Sequence, residues 1–219
     1  MHYLDILASI QDKAITCGRS MDEMTLIVVS KQQPLSDLQS IYQKGGRHFG
    51  ESRMQDALEK IPQMPDDVIW HYIGSLQNKK VGKAIQTLDF IHSVDSLQLA
   101  QKISKTAQDV KKISILLQVN TSGEETKHGL TNNDWEKYLE ELNDLPNLSI
   151  EGLMTMAPLT NDQTIIRSCF RTLYQLREKW KNSMRDPFSF RHLSMGMSND
   201  YLIAIEEGAT MLRIGRALF

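Results

Sequence analysis

The sequence TLIVVSKQQP, residues 25–34, joins a β-branched run to a lysine and, shortly afterwards, to a proline. The run 25–30 predicts a buried strand, and Pro34 with the periodic stretch 35–44 predicts that a helix follows. A doubly wound sheet that binds a dinucleotide carries a glycine-rich turn after its first strand. The turn SKQQP has no glycine, so that fingerprint is missing and the sequence favours a barrel.

The alternation of a short apolar run with a longer polar, periodic stretch continues along the whole chain. The predicted strands are 25–30, 47–51, 68–74, 90–94, 113–120, 148–156, 190–196 and 211–215. The predicted helices are 8–24 (with a loop), 35–44, 52–60, 76–87, 96–109 with Asp95 as its N-cap, 133–142, 162–182 and 199–207. Apolar strands separated by helices indicate a parallel sheet covered on both faces. Eight such units in 219 residues match a single (β/α)₈ TIM barrel, and we expect one domain over 1–219.

Composition and charge exclude several classes of protein. Hydrophobic residues make up 41% of the chain and charged residues 24%, as in ordinary globular domains. The formal net charge of −2 supplies no overall field for nucleic acid or anionic lipid, so local groups must hold any anionic ligand. The chain has no apolar run of about 18 residues that would span a membrane. We therefore expect no nucleic-acid or membrane partner and, without a continuous exposed apolar stripe, a monomer.

The first residues and the cysteines predict a cytoplasmic protein. MHYLDILASIQDK (1–13) is too polar and too acidic for a signal or transit peptide. Cys17 and Cys169 are far apart and are more typical of thiols in a reducing compartment than of a disulfide.

Lys31 directly follows the first predicted strand, at the barrel end where the functional residues of this fold lie. Apolar walls around its stem would disfavour the ammonium form, and a neutral amine can attack an aldehyde to form an imine. An ordinary surface lysine in a loop is the alternative.

Two Gly/Ser loops after the last two predicted strands indicate a phosphate site. SMGMSND (194–200) contains Ser194, Gly196 and Ser198, and RIGRA (213–217) contains Arg213, Gly215 and Arg216. The loops at these two positions are the usual phosphate site of a barrel, and glycine lets the backbone approach an anion closely. A hydroxyl and open N–H groups at the start of a helix would add to it. The alternative is that Ser198 only caps its helix and that the glycines serve tight turns.

Strand alternation directs Arg213 and Gly215 to the same face of the last strand. An arginine aimed into a barrel needs an acceptor, and the pyridine nitrogen of a cofactor would be one. Since arginine stays protonated, it would keep that nitrogen unprotonated and limit carbanion chemistry. The alternative is a buried ion pair with a carboxylate such as Glu51.

The chain resembles the pyridoxal phosphate homeostasis proteins, the YggS/PROSC family, whose fold is similar to the N-terminal barrel of alanine racemase. The matching stretches are VVSKQQP (28–34), HFGES (48–52), WHYIGSLQNKK (70–80), IHSVDS (91–96), LLQVNTSGEETKHG (116–129), EGLMTMAP (151–158) and LSMGMSNDYLIAIEEGATMLRIGRALF (193–219). They span nearly the whole chain, and the first and last of them are highly specific.

The resemblance implies that pyridoxal 5'-phosphate (PLP) is carried as a Schiff base on Lys31. It implies further that Arg213 faces the pyridine nitrogen. The phosphate would be held by Ser198 and by the backbone around Gly215 and Arg216. Ser194 and Met195 would line the same cradle, and Met154 or Met156 would lie near the ring.

One residue departs from the family pattern. The family usually has asparagine where this chain has Ser52, after Phe49-Gly50-Glu51. Serine is shorter and would reach the ring hydroxyl and Schiff base only through a water.

The same resemblance predicts a carrier rather than an enzyme. Alanine racemase needs a second base from a separate C-terminal domain of its partner subunit, which this chain is not long enough to supply. We therefore expect a PLP store that delivers to PLP-dependent client enzymes, with no catalytic residues and no metal. A weak amino-acid racemase and a barrel whose Lys31 attacks a sugar phosphate directly are the alternatives.

Other chemistry-bearing residues receive plainer interpretations. His48, His71, His92 and His192 lie in or beside predicted strands, where satisfied core or loop histidines are the commoner case. The cluster at 79–83, with Lys79, Lys80 and Lys83, is typical of a solvated face. SGEETKHG (122–129) could close over the barrel mouth and bring Lys127 to the ligand.

Overall fold

The chain forms a closed barrel of parallel strands surrounded by helices. The computed structural model describes residues 2–108, 110–124, 128–182 and 189–219. Within these residues the strands follow one another around the barrel in chain order, and the last pairs with the first. The predicted (β/α)₈ barrel is therefore confirmed. The proposed lid residue Lys127 lies outside the described residues.

The strands and helices lie where the alternation of apolar and periodic stretches predicts them. The strands are β1 (Thr25–Val29), β2 (His48–Glu51), β3 (Ile69–Tyr72), β4 (Phe90–Val94), β5 (Ile113–Gln118), β6 (Leu148–Met154), β7 (His192–Ser194) and β8 (Met211–Ile214). The helices are α1 (His2–Thr16), α2 (Leu35–Gln43), α3 (Met54–Lys60), α4 (Val81–Thr87), α5 (Leu97–Thr106), α6 (Asn132–Asn143), α7 (Gln163–Lys181) and α8 (Tyr201–Glu206). Short 3₁₀ turns lie at Met21–Glu23, Ile61–Gln63 and Asn78–Lys80.

Several element ends differ from the sequence prediction, and three of the differences change where a helix begins or how it is capped. The helix before β1 begins at His2 and not at residue 8. The N-cap of α5 is Ser96, whose hydroxyl accepts the Leu99 N–H, whereas the Asp95 carboxylate lies 3.7 Å from His128. The final helix begins at Tyr201, because residues 198–200 form a turn.

Side chains alternate between a barrel interior and an outer layer. In β1, Ile27 packs inside the barrel with Leu116, Met154 and Met211, while Val28 packs outward against the helices. This period of two is what a strand buried on both faces requires. The outer layer is the larger apolar cluster, and it joins all the helices to the sheet.

The described residues contain no helix that is both long and apolar enough to cross a membrane. Cys17 and Cys169 are both described, and no disulfide joins them.

Candidate functional site

A cavity of about 290 Å³ opens at the carboxyl ends of the strands. Its walls come from the segments after β1, β2, β3, β6, β7 and β8. The volume is just below the range of about 300–1,000 Å³ that small-molecule sites occupy. Functional residues of barrel enzymes are found at this end.

Lys31 lies at the rim of this cavity, in a tight turn that leaves β1. The turn is closed by the Gln33 N–H, which donates to the Ser30 carbonyl at 3.1 Å. Gln32 has a φ of +61°, a left-handed conformation that costs a non-glycine residue of order 1–2 kcal/mol. The residue Lys31 is exposed, so the desolvation expected from the sequence is not found.

A buried polar cluster holds the backbone beside Lys31. Lys60 Nζ donates to the Ser30 carbonyl at 2.6 Å and to Glu51 Oε1 at 2.7 Å. The Ser30 hydroxyl also donates to Glu51 Oε1, at 2.8 Å. The ion pair considered between Arg213 and Glu51 is therefore wrong, because Glu51 turns toward α3 and pairs with Lys60.

The loops after β7 and β8 meet at the cavity and are hydrogen-bonded to each other. Ser198, Gly215 and Arg216 all line it. The Ser198 hydroxyl accepts the Ala217 N–H at 3.4 Å, so it bridges the two loops and does not cap α8. The structure thus brings the predicted phosphate residues to the same wall.

The two glycines of these loops have different roles. Gly215 lines the cavity, and a Cβ there would lie 3.3 Å from Val29. Gly196 has a φ of +91°, and a Cβ there would lie 2.6 Å from the Ala204 side chain of α8. Gly196 is therefore needed for helix packing and for its own backbone conformation, and it is not among the residues that line the cavity.

Arg213 is 4% exposed and reaches the cavity from inside β8. Its Nη1 donates to Ser194 Oγ at 2.5 Å, and its Nη2 donates to the Thr155 carbonyl at 2.8 Å. Burial lowers the pKa of Arg213 to about 10, and the nearby Asp200 carboxylate opposes that shift. The guanidinium remains charged at neutral pH and presents a donor surface to the cavity.

Asp200 is a cavity residue that was not predicted from the sequence. Its Oδ1 accepts the Met197 N–H at 2.5 Å, which shapes the loop after β7. Burial raises the pKa of this carboxyl. The signal was the Ser198-Asn199-Asp200 turn sequence, since an aspartate in a turn commonly accepts a nearby backbone N–H.

Several predicted residues lie behind the cavity wall or at its edge. The Ser194 side chain is fully buried and contacts the Arg213 guanidinium. Met195 points to the opposite side of β7 and packs in the outer apolar layer, so its side chain does not line the cavity. Of the two candidate methionines, Met156 lines the cavity and Met154 packs inside the barrel. Ser52 also lines the cavity.

A row of histidines extends below Arg213 through the barrel interior. His92 Nδ1 lies 2.8 Å from Ser194 Oγ, and His92 Nε2 lies 2.8 Å from His71 Nδ1. His71 Nε2 lies 2.9 Å from His48 Nδ1. The interpretation of the histidines as satisfied interior residues fits these three, whose connection to Arg213 was not expected. It does not hold for His192, whose Nδ1 is buried with no hydrogen-bond partner among the described residues.

A larger groove of about 910 Å³ opens at the opposite end of the barrel. Its arginines are already engaged by carboxylates, as Arg171 is by Glu207 at 2.9 Å and Arg191 by Glu151 at 3.3 Å. We assign the candidate site to the smaller cavity because the predicted lysine, serine and arginine residues converge there.

Comparison with known proteins identifies the class of this barrel. The model of the alanine racemase N-terminal domain family matches residues 7–219. An alanine racemase of Clostridium difficile has the same fold, with a TM-score of 0.76 at 16% identity over 99% of this chain and 56% of that one.

Closer relatives define the family within that class. The chain is 38% identical over 220 residues to the pyridoxal phosphate homeostasis protein of Schizosaccharomyces pombe, across 99% of this chain and 90% of that protein. The human homologue of that name is 36% identical over 206 residues, across 89% and 75%. PipY of Synechococcus elongatus, solved with PLP bound, gives a TM-score of 0.85 at 33% identity over 96% of this chain and 99% of PipY. The chain belongs to the family of pyridoxal phosphate homeostasis proteins.

Proposed function

We propose that this protein binds PLP as a Schiff base on Lys31 and acts as a cytoplasmic store of the cofactor in PLP homeostasis. The observation that carries the proposal is the convergence of Lys31, Arg213 and the β7 and β8 loops on one cavity. The Lys31 amine would condense with the aldehyde and release one water, so that the bond is reversible by hydrolysis. Reversibility is what a store requires.

Each part of the cavity has a group of PLP that it suits. Ser198 and the backbone at Gly215 and Arg216 would bind the phosphate, with the Arg216 side chain contributing positive charge. Arg213 would donate to the ring nitrogen. Ser52 and Met156 would lie beside the ring. PipY, which was solved both with and without PLP, supports this assignment because it shares the fold and a third of the sequence.

The residues around the cavity favour storage over catalysis. PLP, when bound, supplies an electron sink, but that sink is strong only if the ring nitrogen is protonated. Arg213 is a permanent donor and would leave that nitrogen unprotonated. Among the described residues that line the cavity, the ionisable side chains are Lys31, Asp200, Arg213 and Arg216. Asp200 is the one carboxylate in that set, and it already accepts the Met197 N–H.

The test is a titration of the purified protein with PLP, followed by its visible absorbance band. We expect the wild type and Lys44→Ala, a variant at an exposed lysine that follows α2 and does not line this cavity, to form the band. Lys31→Ala should lack it. An equal band in Lys31→Ala would overturn the assignment of the Schiff base.

A racemisation assay distinguishes a PLP store from the alternative function, a weak amino-acid racemase. The PLP-loaded protein should not interconvert L- and D-alanine above the rate of free PLP. Turnover that depends on Lys31 would instead establish the racemase.

We further propose that residues 1–219 act as one domain, as a monomer, and that PLP passes from this cavity to client enzymes. The apolar rim supports transfer, since Leu159 and Met197, which are 92% and 37% exposed, both line the cavity. Loss of PLP from the loaded protein should therefore be faster in the presence of an apo PLP enzyme than in buffer.

The mass of the protein in solution, measured by light scattering, tests whether it is a monomer.

A further inference from the structure

An unbroken row of hydrogen bonds crosses the barrel interior, from the cavity toward the opposite end. It runs from Arg213 through Ser194, His92 and His71 to His48. Each ring comes from a different strand, β4, β3 and β2 in turn. Ser194, His92 and His71 are fully buried, and His48, at the first residue of β2, is half-buried.

The chemistry of Arg213 fixes the direction of every bond in this row. A guanidinium only donates, so Ser194 Oγ accepts from Arg213. Among the described residues, the other partner of Ser194 Oγ is His92 Nδ1, which must therefore accept the one hydroxyl hydrogen. The opposite direction would leave that hydrogen buried without an acceptor, at a cost of about 1–3 kcal/mol.

The same donor-to-acceptor direction then holds for the hydrogen bonds between the three imidazole rings. A neutral histidine that accepts at Nδ1 carries its hydrogen on Nε2. His92 Nε2 therefore donates to His71 Nδ1, and His71 Nε2 donates to His48 Nδ1. His48 is left with its own Nε2–H at the half-buried end. The row is consistent only if all three histidines are neutral and protonated on Nε2.

The surroundings keep the rings neutral. Burial lowers the pKa of His71 and His92 well below the usual value. His71 faces His48 and His192, and His92 faces His71, Arg213 and His192, so each meets positive or potentially positive groups that lower its pKa further. Burial also lowers the pKa of His48, although Asp89 raises it in part.

We propose that His48, His71 and His92 are positioning residues that act on Arg213 through Ser194. The row fixes the Ser194 hydroxyl as an acceptor for Arg213 Nη1 and so holds the guanidinium in the orientation that it presents to the cavity. The consequence for the ring nitrogen of PLP rests on the proposed function, whereas the direction of the row is a property of the ligand-free protein. The outer ring, His48, makes the orientation of Arg213 depend on a residue that is remote from the cavity.

Nitrogen NMR of the imidazoles in ligand-free protein tests the row directly, because it distinguishes the two neutral tautomers. We expect His48, His71 and His92 to be protonated on Nε2 at neutral pH. His71→Phe removes the central link and should change the tautomer of His92. His71→Gln should retain it, because an amide can accept from His92 and donate to His48. His192→Phe, which removes another interior imidazole outside the row, should leave His92 unchanged.

A second measurement tests whether the histidine row affects PLP bound in the cavity. In PLP-loaded protein, the pH midpoint of the visible band should shift in His71→Phe and stay at the wild-type value in His71→Gln and His192→Phe. If His71→Phe does not fold, His48→Phe at the half-buried end takes its place.

Two results would overturn the inference: wild-type His92 protonated on Nδ1, or a His92 tautomer and a pH midpoint that do not respond to loss of His71. A wild type that forms no visible band contradicts the proposed function alone, and the tautomers of the ligand-free protein then decide the inference.

Discussion

Arg213 is a buried cation whose direct partners are a hydroxyl and a backbone carbonyl. Its pKa is lowered to about 10, so its charged form is less favourable in the folded than in the unfolded state. The resulting loss of folding stability is present at neutral pH, and it disappears only as the pH rises through about 10 and Arg213 loses its proton in the folded state. Burial of this charge therefore opposes folding of the ligand-free protein, and the acceptor that we propose for the cavity, the ring nitrogen of PLP, would offset part of that cost.

Arg213→Met should therefore separate stability from binding. We expect the free energy of unfolding of the ligand-free protein to stay the same or rise by up to about 2 kcal/mol, because a buried charge is replaced by an apolar side chain. Affinity for PLP should fall at least tenfold. Urea denaturation and a PLP titration measure the two effects.

Arg216→Met is the matched control, since Arg216 is exposed on the same cavity. It should change stability by no more than about 0.5 kcal/mol. A loss of more than about 2 kcal/mol in ligand-free Arg213→Met would show that its hydrogen bonds outweigh the cost of its burial.

The Glu51–Lys60 pair differs from Arg213, because each buried charge of the pair is in contact with its counterion. Glu51 is fully buried and Lys60 Nζ lies 2.7 Å from it. Lys60→Met should cost about 3 kcal/mol, since it leaves a buried carboxylate without its cation. The double variant Glu51→Gln/Lys60→Met should recover most of that loss in urea denaturation. Failure of the double variant to recover would mean that packing of the Lys60 stem, and not its charge, is what matters.

At the scale of single elements, the N-terminus of α5 offers two candidate N-cap residues whose contributions to stability can be compared. Ser96 accepts the Leu99 N–H, whereas Asp95 faces His128. Ser96→Ala should destabilise the protein by about 1 kcal/mol, which is the usual cost of removing an N-cap side chain. Asp95→Ala should cost less, because its contact with His128 is partly exposed. A larger loss for Asp95→Ala would restore Asp95 as the effective cap.

Strands and helices could be predicted because their signals are local. The β-branched run before Lys31 and the proline after it sit within ten residues of each other, and the predicted elements are found with ends shifted by a few residues. The cap at Ser96 could not be separated from one at Asp95, since both residue types cap helices and only the backbone angles decide. The late start of α8 depends likewise on the turn at 198–200.

The residues that depend on barrel closure were harder to predict. Lys31 and the β7 and β8 loops could be placed on one cavity because all strand ends of a parallel barrel meet at one end. The partner of Glu51 could not be identified, because it comes from the far end of α3, not from a strand end. The histidine row was missed for a similar reason, since its rings lie on three strands and their contacts depend on the register and curvature of the closed sheet.

At the scale of the whole molecule, PLP should stabilise the folded barrel against heat. A ligand that binds only the folded state adds about 2.7 kcal/mol at a concentration of 100 times its Kd. We expect the thermal midpoint of the wild type to rise with PLP concentration, and pyridoxal without its phosphate to raise it less. A midpoint that pyridoxal raises as much as PLP does would contradict the phosphate site at Ser198 and Gly215.

The most direct test of the account is to locate the bond itself. The PLP-loaded protein is reduced with borohydride, digested, and mapped by mass spectrometry. We predict one phosphopyridoxyl group, on the peptide that contains Lys31, and none on that peptide in Lys31→Ala. A group found mainly on another lysine, or no trapped group at all, would contradict the assignment of Lys31 as the residue that carries the cofactor.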